Sequence, residues 1–112
     1  MAWHVRPRAR KKPGKMNKWE AAYADRLEMF RLEGSIIEWK YESIRLKLAD
    51  NTTYTPDFMI ITKDAIEFHE VKGQRYAAGM AKFKISAELY PWAVWRMVEK
   101  TKQGWKTVMG DF

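Results

Sequence analysis

The chain has 112 residues, 46% of them apolar and 14% aromatic, enough for one domain with its own core; it has no cysteine, which excludes disulfides, thiolate metal sites and a cysteine nucleophile. Its formal net charge of +7 is unevenly placed: residues 1–18 carry seven basic side chains and no acid, whereas residues 19–112 carry 14 of each sign. The longest apolar run, Phe58-Met59-Ile60-Ile61, is too short to cross a bilayer, and no apolar stretch follows the basic start as in a signal peptide, so a cytoplasmic protein with no membrane partner is expected.

Residues 1–16 read as a flexible basic arm. Arg6, Arg8, Arg10, Lys11, Lys12 and Lys15 cannot bury themselves, and Pro7, Pro13 and Gly14 discourage regular structure. Such an arm suits a polyanion, because each phosphate it neutralises releases counterions. The plainer reading is a solvated tail. Trp3 within it is a candidate for stacking on an exposed base.

The folded part is expected over residues 17–112. Asn17 with Glu20 three residues later has the form of a capping box, and Trp19, Tyr23, Leu27 and Phe30 follow at helical spacing until Gly34 stops the helix. From Ile36 the period becomes two: Ile37, Trp39 and Tyr41 alternate with polar neighbours, then Ile44, Leu46 and Leu48 in the opposite phase. The slip near Glu42-Ser43 predicts a bulge or bend. Asp50-Asn51-Thr52 is turn chemistry, and Thr53 to Thr62 reads as a strand made irregular by Pro56. Lys63-Asp64 then connects to a strand over Ala65–Lys72. A loop over Gly73–Gly79 precedes a second helix, Met80 to Tyr90, with Ala81, Ile85 and Leu89 as its apolar positions and Pro91 as its stop. Strands at Trp92–Glu99 and Trp105–Met109 complete an α/β domain of order α-β-β-β-α-β, a mixed sheet with a helix on each side and the last strand at an edge.

Chemistry concentrates at Pro56-Asp57 and Glu70-Val71-Lys72. Residues two apart on a strand share a face, so Glu70 and Lys72 point the same way, and the intervening hairpin returns Glu70 to the side of Asp57. Two converging carboxylates repel unless a cation lies between them. Mg²⁺ favours such a site, taking one or two carboxylates, waters and phosphate oxygens. The structural alternative is a surface hairpin with Glu70 and Lys72 as an exposed pair.

At these residues the sequence resembles the PD-(D/E)XK nuclease superfamily, and the runs Tyr54-Thr55-Pro56-Asp57-Phe58 and Glu70-Val71-Lys72-Gly73 look like those of phage endonuclease I type Holliday junction resolvases. The resemblance spans about residues 17–99. It implies a restriction-endonuclease-like core, Mg²⁺ or Mn²⁺ as cofactor, hydrolysis of DNA phosphodiester bonds in a bacterial or phage-infected cell, and usually a homodimer acting on branched DNA. It assigns metal to Asp57, Glu70 and Val71, makes Lys72 the group assisting the nucleophile, and adds Glu20 in the first helix and Glu38 in the following strand. The chain is short after the motif, and the stretch that would swap or bridge protomers in a resolvase is not identifiable in it.

Each of these has a plainer role open to it. Glu20 suffices as a capping residue, and Glu38 as a solvated strand residue. Gln74, Arg75, Lys82 and Lys84 are candidates for phosphate contacts or a solvated surface, with Tyr76 a candidate for base stacking. His69 faces away from Glu70 and reads as structural or surface. Two further functions stay open: a nuclease for nicking, end processing or DNA packaging, and a non-catalytic nucleic-acid-binding module.

Overall fold

The computed structural model describes residues 3–4, 15–73 and 77–111. In chain order they form strand β1 (Trp3–His4), helix α1 (Lys18–Glu33), strands β2 (Glu38–Tyr41), β3 (Arg45–Ala49), β4 (Thr52–Tyr54), β5 (Phe58–Ile61) and β6 (Ile66–Val71), helix α2 (Ala77–Leu89), and strands β7 (Val94–Thr101) and β8 (Gly104–Gly110).

The capping box is formed: the Glu20 amide donates to Asn17 Oδ1 at 2.8 Å and the Asn17 amide to Glu20 Oε1 at 3.0 Å. Gly34 closes α1 at φ +87°, a left-handed conformation that costs glycine little. The helix buries Glu20, Tyr23, Ala24 and Leu27, leaving Trp19, expected on the apolar stripe, 40% exposed.

Five strands make a mixed sheet in the order β2-β5-β6-β7-β8, with β8 at an edge as expected, and β1-β3-β4 make a second, smaller sheet. The two irregularities foreseen in the sequence explain this division. Chain β2-β3 and chain β4-β5 form one long antiparallel ribbon that turns at Asp50-Asn51, and it leaves the large sheet where Glu42 takes φ +48° on one side and Pro56 interrupts the other. Proline cannot donate to a ladder, so the break falls there. β6 and β7 run parallel, joined through α2. Trp3 and His4, placed in the flexible arm by the sequence, pair with Leu46 and Arg45 of β3.

Alternation along the strands gives the sheet two apolar faces. Phe58, Ile60, Val71 and Val98 pack with Tyr23, Ala24 and Leu27 of α1. Phe68, Trp95 and Met97 pack on the other side with Phe83 of α2 and with Leu46 and Tyr54 of the small sheet. The apolar stripe expected on α2 is its exposed side: Ile85 is 43% and Leu89 49% exposed, while Phe83 and Ser86 are buried. Phe83 decides the orientation, since it brings more apolar area than Ala81 and stands edge-on to Trp95, centroids 5.8 Å apart. Ser86 is accommodated because its hydroxyl donates to Lys82 O at 2.7 Å. Trp92, expected in a strand, lies in the turn before β7 and is 43% exposed. No helix among the described residues is long and apolar enough to cross a membrane.

Candidate active site

Where the ribbon leaves the large sheet, three buried carboxylates meet. Glu20 from α1, Glu42 just after β2 and Asp57 just before β5 each offer an oxygen, and these atoms all lie within 4.8 Å of one another. Helix, strand and break all contribute. The capping box fixes Glu20 in the first turn of α1, and Tyr41 Oη donates to the same carboxylate at 2.9 Å. The Glu42 amide donates to Asp57 O at 2.9 Å, which holds the two residues opposite each other across the ribbon. A left-handed conformation at a non-glycine residue is strained by about 1–2 kcal/mol, and such strain persists only where surrounding contacts impose it.

Asp57 is the centre of the group. Its Oδ2 accepts from the Val71 amide at 2.9 Å, tying β5 to the end of β6. Its carboxyl is held well above the ordinary range, first by burial and then by the negative charges of Glu70 and Glu20. Glu70 lies alongside: Oε1 accepts from the Asp57 amide at 3.3 Å and from Tyr54 Oη. The first turn of α2 passes close by, a side-chain carbon at Gly79 falling 3.7 Å from Glu70 Oε2. Lys72, just beyond β6, has Nζ 3.0 Å from Glu99 Oε2, the residue beside it on β7.

The structure therefore brings together Asp57, Glu20, Glu70 and the Val71 amide, with Lys72 at the end of the same strand. It does not bring Glu38. That residue pairs with Ile61 at the far end of β2, half-exposed, with its Oε2 3.8 Å from Lys40 Nζ. Four strand residues, about 13 Å, separate it from Glu42. Glu42 takes the place expected for Glu38. Strand alternation puts residues 38 and 42 on one side and cannot choose between them, but counting back from the Asp50-Asn51 turn sets Asp57 against residues 42–44. Tyr41, Tyr54 and Glu99 were also missed; only tertiary pairing reveals them.

His69 is buried on the face opposite Glu70. Its Nδ1 is 2.6 Å from Tyr23 Oη and its Nε2 2.8 Å from Glu67 Oε1, with Arg96 Nη1 3.3 Å from the same carboxylate oxygen. Burial lowers the His69 pKa and pushes the Tyr23 hydroxyl up to about 12.

Of the residues considered for phosphate contact, Lys82 donates to Thr53 O at 3.0 Å and Lys84 is exposed on another side of α2, since residues two apart do not share a helical face. Lys15 is exposed, its carbonyl 3.4 Å from Tyr41 Oη. Arg6, Arg8, Arg10, Lys11, Lys12, Gln74, Arg75 and Tyr76 lie outside the described residues.

Hard divalent cations take carboxylate oxygens at about 2.0–2.6 Å, so three carboxylates this close together could hold one such ion, without their spacing singling out which. Compared with known proteins, the chain matches no protein-family model and no curated protein.

Proposed function

We propose that the chain is a divalent-metal-dependent endonuclease of the PD-(D/E)XK type that hydrolyses DNA phosphodiester bonds in the cytoplasm of a bacterial or phage-infected cell, with branched DNA as its preferred substrate. One observation carries the reading: Glu20, Glu42 and Asp57, from three separate elements, converge in a buried position beside Glu70, at an unfavourable pKa for Asp57. Charges of one sign are gathered in this way where a cation neutralises them. A protein that only bound nucleic acid would be weakened by carboxylates placed against phosphates.

Asp57, Glu20 and Glu42 would hold the cation, with Glu70 completing the acidic wall. A bound Mg²⁺ supplies charge neutralisation and Lewis acidity toward the scissile phosphate. Strand alternation puts Lys72 on the same face as Glu70, where its ammonium would orient the attacking water and stabilise charge developing on the phosphate oxygens. Glu99 is a positioning residue that holds the Lys72 side chain. Tyr41 and Tyr54 orient the Glu20 and Glu70 carboxylates by donating to them.

The test is incubation with Mg²⁺ and a panel of linear duplex, single strand, flap and four-way junction, mapping the cuts. Metal-dependent cleavage with junctions preferred, lost in Asp57→Ala and Glu70→Ala, is expected. Preference for duplex nicks or ends would replace the resolvase reading with a processing role. Binding without cleavage of any substrate would reduce the protein to a binding module.

A further inference from the structure

On the α1 side of the sheet, beyond the acidic group, lies a half-open cavity of about 290 Å³. It runs between the later turns of α1 and strands β6, β7 and β8. Its lining includes the apolar Leu27, Phe30, Ile60, Val98 and Trp105 and the polar Ser35, Thr62 and Thr107, the Thr62 hydroxyl being held in the turn to Ala65. Arg26 and Arg96 line it beside one carboxylate, Glu67, whereas Lys106 alternates to the other face of β8 from Trp105 and Thr107. That carboxylate is already engaged by His69 and Arg96, leaving a net positive lining. Arg26 stands over the Phe30 ring with its guanidinium carbon 4.9 Å from the centroid. Tyr23, on the floor, is one helical turn from Glu20, about 4.5 Å along the axis.

From the combination of aromatic side chains and a net positive lining in so small a space, we infer that this cavity receives one unpaired nucleotide of the substrate strand, base against Trp105 and Phe30, phosphate toward Arg26. At about 290 Å³ the cavity lies at the small end of ligand pockets, which run from about 300 to 1,000 Å³, in keeping with a single nucleotide. Flat bases of any identity stack on aromatic rings, and a positive groove tracks the backbone. The acidic group repels phosphate until a cation is bound, whereas this lining attracts it without metal. The nucleotide subsite rests on the nuclease reading for its biological meaning, but its occupancy needs neither metal nor cleavage.

The test is a two-dimensional NMR titration of the full chain in chelator, with thymidine 5′-monophosphate, then oligothymidylate, as probes. Saturable shifts are expected at the Trp105 indole and at Thr62 and Thr107 with both probes, tighter for the oligonucleotide. Arg26→Gln and Trp105→Leu should each weaken binding by about fivefold or more, with Lys63→Gln, an exposed cation outside the cavity, as a control without effect. No saturable shift at millimolar nucleotide, shifts unaffected by both variants, or binding of the free nucleotide but not of the oligonucleotide would each overturn the inference. Because the titration is metal-free, a protein that cleaves nothing can still pass it, and an active nuclease can still fail it.

Discussion

Asp57 is in an environment that disfavours its charged form. A carboxyl whose folded pKa lies above its unfolded value, near 3.9, contributes stability that is complete below the unfolded value and is lost as pH rises through the folded one. Without metal, the protein is thus destabilised by Asp57 in the neutral range. Asp57→Asn keeps an oxygen to accept from the Val71 amide but carries no charge. We expect it to stabilise the metal-free protein at neutral pH by about 0.5–2 kcal/mol, with the gain shrinking as pH falls. Parallel thermal unfolding of wild type and variant across pH measures this, and a constant difference would remove the buried charge from the account. His69 and the surrounding Tyr23, Glu67 and Arg96 contribute equally to both proteins and cancel.

At the scale of elements, the capping box, the stop at Gly34, the hairpin turn and the interruption at Pro56 were legible because each depends on local backbone chemistry. The division into two sheets was visible only as a phase slip, since periodicity records that a strand bends but not what it joins. The same limit placed Glu38 in the site instead of Glu42. For α2, two stripes compete at helical spacing, and the larger aromatic at Phe83 outweighs the aliphatic pair Ile85 and Leu89. A second constraint was hidden at the end of β8, where Gly110 has φ +93° and a side-chain carbon there would lie 2.1 Å from Trp95 O. This glycine allows β8 to close against the irregular pairing at Met97-Val98. Gly110→Ala should cost about 2–4 kcal/mol from backbone strain and overlap together. Chemical denaturation reads the loss, and a midpoint within error of wild type would contradict the close approach.

Over the whole molecule, charge is segregated: the seven excess positive charges precede residue 19, while the remainder is balanced and carries the acidic group. Pairing of Trp3 and His4 with β3 means that the basic stretch starts from an anchored strand, so neutralising it is a cleaner test than deleting it. With Arg6, Arg8, Arg10, Lys11 and Lys12 all changed to Gln, the slope of log affinity for duplex DNA against log salt should flatten by up to about 0.9 for each phosphate that is no longer neutralised. An unchanged slope would assign the electrostatic grip to the folded domain. Fold class was open to sequence reasoning at this scale because helix and strand periods alternate along the chain; the cavity was not, because its lining comes from separate segments spread between Tyr23 and Thr107.

The most direct test of the central claim is Mn²⁺ binding followed by electron paramagnetic resonance in wild type, Glu42→Gln, Asp57→Asn and Glu38→Gln. A bound-ion signal is expected in wild type, with its loss or weakening by about tenfold or more in Glu42→Gln and Asp57→Asn, and retention in Glu38→Gln. Equal binding in wild type and Asp57→Asn, or loss in Glu38→Gln with Glu42→Gln unaffected, would contradict that claim.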